Sequence, residues 1–213
     1  MRSPFMKYAV AKYALVGALA LSLAAGGAVV AQAALTKNPA EVTAGNYDLD
    51  SGHGKITWSV NHFGLSTYTG QFVNVKAQLK LDPANPSAST LTATIPLTDV
   101  APNDDQLKAH LQTADFFDTA KYPTATFVSR SVTVDADDAN EATVVGDLTL
   151  KGVTKPVTIE VEFNAAGTVM GAYKAGFDGE ATIKRSDFGI DYALPAVSDE
   201  VKLHIEGEFV IQK

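Results

Sequence analysis

The chain has 213 residues, with 46% hydrophobic and 19% charged side chains, the composition of a packed domain rather than of a disordered chain. Its formal charge of −7 and its lack of a Lys/Arg cluster argue against nucleic acid as a partner. It contains no cysteine, which excludes disulfides, thiol redox chemistry, cysteine-ligated zinc and iron–sulfur clusters.

The first 33 residues read as a cleavable signal peptide. Arg2, Lys7 and Lys12 give a positive start, residues 14–30 are uncharged and rich in Leu, Val and Ala, and Ala31-Gln32-Ala33 supplies small residues for cleavage. The folded part is then expected in the periplasm or secreted. The alternative is a membrane-tethered protein, because residues 13–36 are uncharged and long enough to span a bilayer if kept. Residues 34–44 read as a flexible tether, and about 180 residues beyond the leader suffice for one domain with a sizeable core.

The domain, residues 45–213, reads as strands. Residues 47–50 and 55–61 open it. From Phe72 the period is two, with Val73, Val75, Ala77, Leu79 and Leu81 on one face and Asn74, Lys76, Gln78 and Lys80 on the other. Asp82-Pro83-Ala84-Asn85-Pro86 is a turn by composition, and residues 90–97 resume extended chain as the second arm of a hairpin. Residues 103–120 break the pattern. Leu107, His110 and Leu111 have helical spacing, Asp104 and Asp105 suit a helix start, and Asp115-Phe116-Phe117-Asp118 could add a turn. Tyr122-Pro123 restores extended chain. Residues 125–134, 142–150, 157–163 and two runs within 168–185 follow as strands. The last strand alternates Val201, Leu203, Ile205, Phe209 and Ile211 with Lys202, His204, Glu206, Glu208 and Gln212. The count is eight or nine antiparallel strands, which periodicity alone allows to form either a sandwich or a closed barrel.

Four ordered blocks carry a resemblance. The first is Tyr47-Asp48-Leu49-Asp50 with His53, Ile56-Thr57-Trp58-Ser59-Val60-Asn61-His62-Phe63-Gly64 and Gly70-Gln71-Phe72. The second is His110-Leu111 with Asp115-Phe116-Phe117-Asp118, Tyr122-Pro123 and Phe127. The third runs from Gly146-Asp147-Leu148 to Pro156-Val157, and the fourth is Arg185-Ser186-Asp187-Phe188-Gly189-Ile190. Together they resemble the YceI family of exported, polyisoprenoid-binding proteins over about residues 47–212. The resemblance implies an all-β fold, an extended eight-stranded antiparallel lipocalin-like barrel with a short helical segment at one end. Two positions depart from the pattern: Leu107-Lys108 replaces the usual basic–acidic pair, and Gly54 replaces a serine. Both bear on how a ligand head group or the barrel mouth is met.

For function, His53, His62, His110 and His204 come from separate elements without close ligand spacing, so no metal and no cofactor is expected. No Gly-x-Ser-x-Gly elbow is present, and Arg185 with Asp187 reads as a corner of the barrel rather than an acid–base pair. The protein is therefore read as a binder and not as an enzyme. Each aromatic could be ordinary core, yet a barrel with a helical segment over one end leaves a tunnel. The resemblance assigns its lining to Trp58, Phe63, Phe72, Leu107, His110, Leu111, Phe116, Phe117, Tyr122, Phe127 and Phe188, with residues 103–122 forming part of the mouth. The expected ligand is a polyisoprenoid, an isoprenoid quinone or a fatty-acid derivative, carried or stored outside the cytoplasm. Transient membrane contact and a homodimer are compatible with this reading. A stress-related exported interaction protein with a filled core, and a lipid-modifying enzyme, are the alternatives.

Overall fold

A strand whose alternate residues are apolar buries one face, and a set of such strands has no exposed edge once the last pairs with the first. The computed structural model of the protein, which describes residues 35–213, shows this solution. Its strands are β1 (Gly45–Leu49), β2 (Lys55–His62), β3 (Ser66–Phe72), β4 (Lys76–Leu81), β5 (Thr90–Pro96), β6 (Val100–Ala101), β7 (Thr124–Val134), β8 (Glu141–Leu150), β9 (Val153–Val169), β10 (Ala172–Lys184) and β11 (Glu200–Ile211). Eight of them close an antiparallel barrel in the order β1-β4-β5-β7-β8-β9-β10-β11, and β11 returns to β1. The expectation of a signal peptide at residues 1–33 lies outside the described residues.

β11 is long enough to hold two neighbours on one edge. Its end pairs with β1 through Phe209–Leu49, while Lys202 to Glu206 pair with β2. β2, β3 and β6 therefore continue from the barrel wall as a flap. The flap strand β3 was not foreseen as a strand, because Ser66-Thr67-Tyr68-Thr69-Gly70-Gln71-Phe72 is mostly polar and turns few side chains inward.

Three other expectations change. β9 runs unbroken to Val169 through Asn164-Ala165-Ala166-Gly167, where a gap was expected. Pairing of Ala165 to Val169 with β10, after a bulge that leaves Asn164 unpaired, carries this weakly β-prone stretch. The helix α1 is only Asp105–Leu111, capped by the Asp104 carboxylate accepting from the Leu107 N–H at 2.7 Å. Beyond it the chain coils into turns, with Phe117 N–H donating to the Leu111 carbonyl and Asp118 at φ 50°, so no second helical turn forms. The segment read as a tether is docked: Thr36 bridges Ala166, Pro39–Glu41 form a 3₁₀ turn capped by Asn38, and Val42 is buried.

The corner after β10 is held by Arg185, but not with Asp187, which is exposed. Arg185 is 6% exposed, and its guanidinium donates to the carbonyls of Ser198, Ile190, Tyr192 and Val197 at 2.7–3.1 Å. Asp199 completes the corner by accepting from the Ser186 N–H and hydroxyl. One buried fork thus satisfies four carbonyls of an irregular loop that has no ladder to do so.

Candidate ligand-binding site

The turns divide between two ends. At the first lie the β4–β5 and β7–β8 turns, the β9–β10 hairpin and the docked residues 36–42. At the second lie α1, the β8–β9 turn and the Arg185 corner. Between them the barrel encloses a cavity of about 370 Å³, within the ~300–1,000 Å³ of small-molecule sites.

Its wall comes from strand alternation. Val75 just before β4, Ala77 and Leu79 of β4, Leu91, Ala93 and Ile95 of β5, and Phe127 and Val132 of β7 all face in. So do Val144 of β8, Ile159 and Val161 of β9, Ala181 of β10, and Leu203 and Ile205 of β11. The mouth is at the first end, bordered by Pro39, Ala40, Asp82, Pro83, Pro86, Ser89 and Asn140. At the side, Lys55 and Glu206 also border the cavity and neutralise each other at 2.8 Å. Space exists because many inward positions are small: Ala77, Ala93, Ala142, Gly179, Ala181 and Gly207 project little into the lumen.

Of the residues expected to line a tunnel, Phe127 alone is part of this wall. The structure gathers most of the others at the second end, where they close the barrel. Trp58 and Leu111 form a buried cluster with Val100, and Phe72, Leu107, Phe116 and Phe117 pack on it. Trp58 fits because a Cβ at Gly70 would lie 2.3 Å from its Cζ2. Phe188 is 2% exposed in the main core, and Tyr122 lies over Gly152. His110 Nε2 donates to Asp115 Oδ2, 2.8 Å away, and the ring meets Phe116 and Tyr192 edge-on. Phe63 sits at the β2–β3 tip with 57% of its surface exposed. Residues 103–122 therefore plug the barrel rather than form its mouth, because their aromatic side chains are large enough to fill the space between flap and barrel.

One polar cluster was not legible in the sequence. Asp50, His53 and Glu208 bring potential ligand atoms within 4.8 Å of one another outside the cavity wall. Lys174 Nζ stands among them, 3.0 Å from Asp50 and 2.9 Å from Glu208, so an ammonium already supplies the positive charge. Hydrogen bonds from Lys174 and then His53 hold the Asp50 carboxyl below the usual carboxylate range. Asp50 and His53 are neighbours in sequence, but Glu208 and Lys174 arrive only through the β10–β11–β1 pairing.

A family model for the YceI-like domain matches residues 47–209, from within β1 to within β11, and so reaches every strand of the closed ring. The chain belongs to the YceI-like family. Among YceI relatives, the protein YceI of Escherichia coli (strain UMN026) is 40% identical over 184 residues, covering 85% of this chain and 95% of that protein. The crystal structure of Burkholderia cenocepacia BcnA superposes with a TM-score of 0.68 at 29% identity, covering 75% of this chain and 98% of BcnA. A polyisoprenoid binding domain from Saccharophagus degradans shares the fold with a TM-score of 0.58 at 14% identity, over 80% of this chain and all of that one.

Proposed function

We propose that this YceI-like barrel holds the chain of an apolar lipid, a polyisoprenoid, isoprenoid quinone or fatty-acid derivative, and carries or stores it outside the cytoplasm. The observation that carries this is the cavity wall, which is predominantly apolar from the Pro39, Pro83 and Pro86 rim to Ile95, Phe127 and Leu203, with the charged Lys55 and Glu206 paired to each other at its side. The family membership and the polyisoprenoid-binding neighbour of the same fold support it.

The energetics suit exchange with a bilayer. Each methylene buried in such a wall is worth about 0.8 kcal/mol, close to what it gains among acyl chains, so transfer is nearly neutral in its apolar part. No cofactor is needed for that step. His110, expected in the lining, and Asp187, weighed with Arg185 as an acid–base pair, both lie off the cavity wall, one on the plug and one on the exposed corner. The binder reading is preferred for that reason.

The test is thermal unfolding of residues 34–213 with added ubiquinone or solanesol. Saturation at a hundred times the dissociation constant is expected to raise Tm by about 5–10 °C. No shift with any isoprenoid or fatty acid would contradict the proposal.

A further inference from the structure

The tip of the β9–β10 hairpin carries a residue that its own turn disfavours. Val169 pairs with Ala172, leaving Met170 and Gly171 as the loop, at φ 51° and 84°. Two successive positive φ values define the turn in which Asn, Asp or Gly is preferred at the first position, because a longer side chain there meets its own backbone. Met170 occupies that position and is 99% exposed. It costs backbone energy and buries nothing, so its partner lies outside the fold.

The surroundings say what kind of partner. Residues 164–173 carry no charge. Val169 and Leu35 are 36% and 45% exposed and, with Ala165 and Ala166, form the apolar part of one shallow outer groove that is also lined by the paired charges of Lys174 with Glu208 and of Lys55 with Glu206. Leu35 is held there by the neighbouring Thr36–Ala166 bridge. The cavity mouth, at Pro39, Pro83 and Pro86, opens at the same end. Nearby turns bear Asp82, Asp135, Asp137 and Asp138, whose charges repel an anionic surface, while Lys37 and Glu41 cancel.

We propose that Met170, Val169 and Leu35 are the contact by which the domain docks on a zwitterionic lipid surface, with its mouth toward the bilayer. The tip enters the headgroup region and the rim meets the membrane there, so a chain passes between acyl layer and cavity without crossing open water. This rests on the lipid-holding reading for its purpose but not for its test.

The test uses residues 34–213, which contain every strand of the closed ring, floated with phosphatidylcholine vesicles with and without solanesol. Met170→Asn keeps the fold, because Asn suits the left-handed position, and is expected to weaken vesicle association about tenfold or more. It is expected to slow solanesol uptake from vesicles in proportion and to leave the affinity for dispersed farnesol unchanged. Adding Val169→Thr should weaken association further. Equal association of the parent and M170N, or tighter association with phosphatidylglycerol than with phosphatidylcholine, would overturn the docking proposal. Failure of the parent to bind farnesol or take up solanesol, with the M170N difference intact, would instead sink the lipid-holding reading and leave the docking surface standing.

Discussion

The two ends of the barrel are built from the same alternation and reach opposite results. At the closed end, Phe72, Phe116, Phe117, Trp58 and Phe188 fill the space, and the Arg185 fork ties a loop of four carbonyls into one corner. Away from that end, Ala77, Ala93, Ala142 and two glycines face in, and the lumen stays open. A strand pattern decides which side chains point inward, while their volume decides whether the interior is core or cavity. Stability is therefore concentrated at the closed end and binding capacity toward the mouth.

Substitutions can break that division. The largest expected loss is from Arg185→Met, which leaves four carbonyls without their donor and should cost about 4 kcal/mol or more in urea unfolding. Phe188→Ala should cost about 3–4 kcal/mol by opening a void in the core, while lipid binding at subsaturating denaturant persists. Ala93→Phe, between Ala77 and Phe127 in the sheet, has the reverse signature. It fills the lumen, so stability should change by under about 1.5 kcal/mol while lipid binding is lost. If Phe188→Ala abolished binding and Ala93→Phe did not, the roles of the two ends would be exchanged.

A smaller effect separates the ends by pH. Hydrogen bonds from the Ser186 backbone hold the Asp199 carboxyl below its ordinary range, and Lys174 does the same for Asp50. A carboxyl depressed on folding contributes stability that is fully present above its unfolded pKa, near 4, and is lost as pH falls toward its folded value. Urea midpoints should thus be level above about pH 5 and fall below it, and Asp199→Asn should flatten that fall. A midpoint that rose on acidification would contradict the assignment. Tyr47 has no part in this window, since burial, with Tyr173 beside it, pushes its hydroxyl up to about 12.

Much of the wall was legible. The inward faces of residues 75–79 and of β11 follow directly from Val75, Ala77 and Leu79 and from Leu203, Ile205 and Phe209, and the motif blocks lead to the family that the family model matches and to the barrel that the structure shows. What failed was the weighting of aromatics. Large apolar side chains mark where a lumen is filled, and the open part is marked by alanines and glycines that carry no signal of their own in a strand. β9 was divided because Asn164 to Gly167 look like a turn, although sheet pairing overrides that preference. The Lys174–Asp50–Glu208 cluster depends on β11 changing partners from β2 to β1, a tertiary event with no local signature.

The most direct measurement is mass spectrometry of an organic extract of residues 34–213 purified from the native host without detergent, beside the same preparation of Ala93→Phe. A long-chain lipid near one per protein in the parent and none in the variant is the predicted result. Lipid absent from both, or retained equally by the filled barrel, would contradict a lipid site in the cavity.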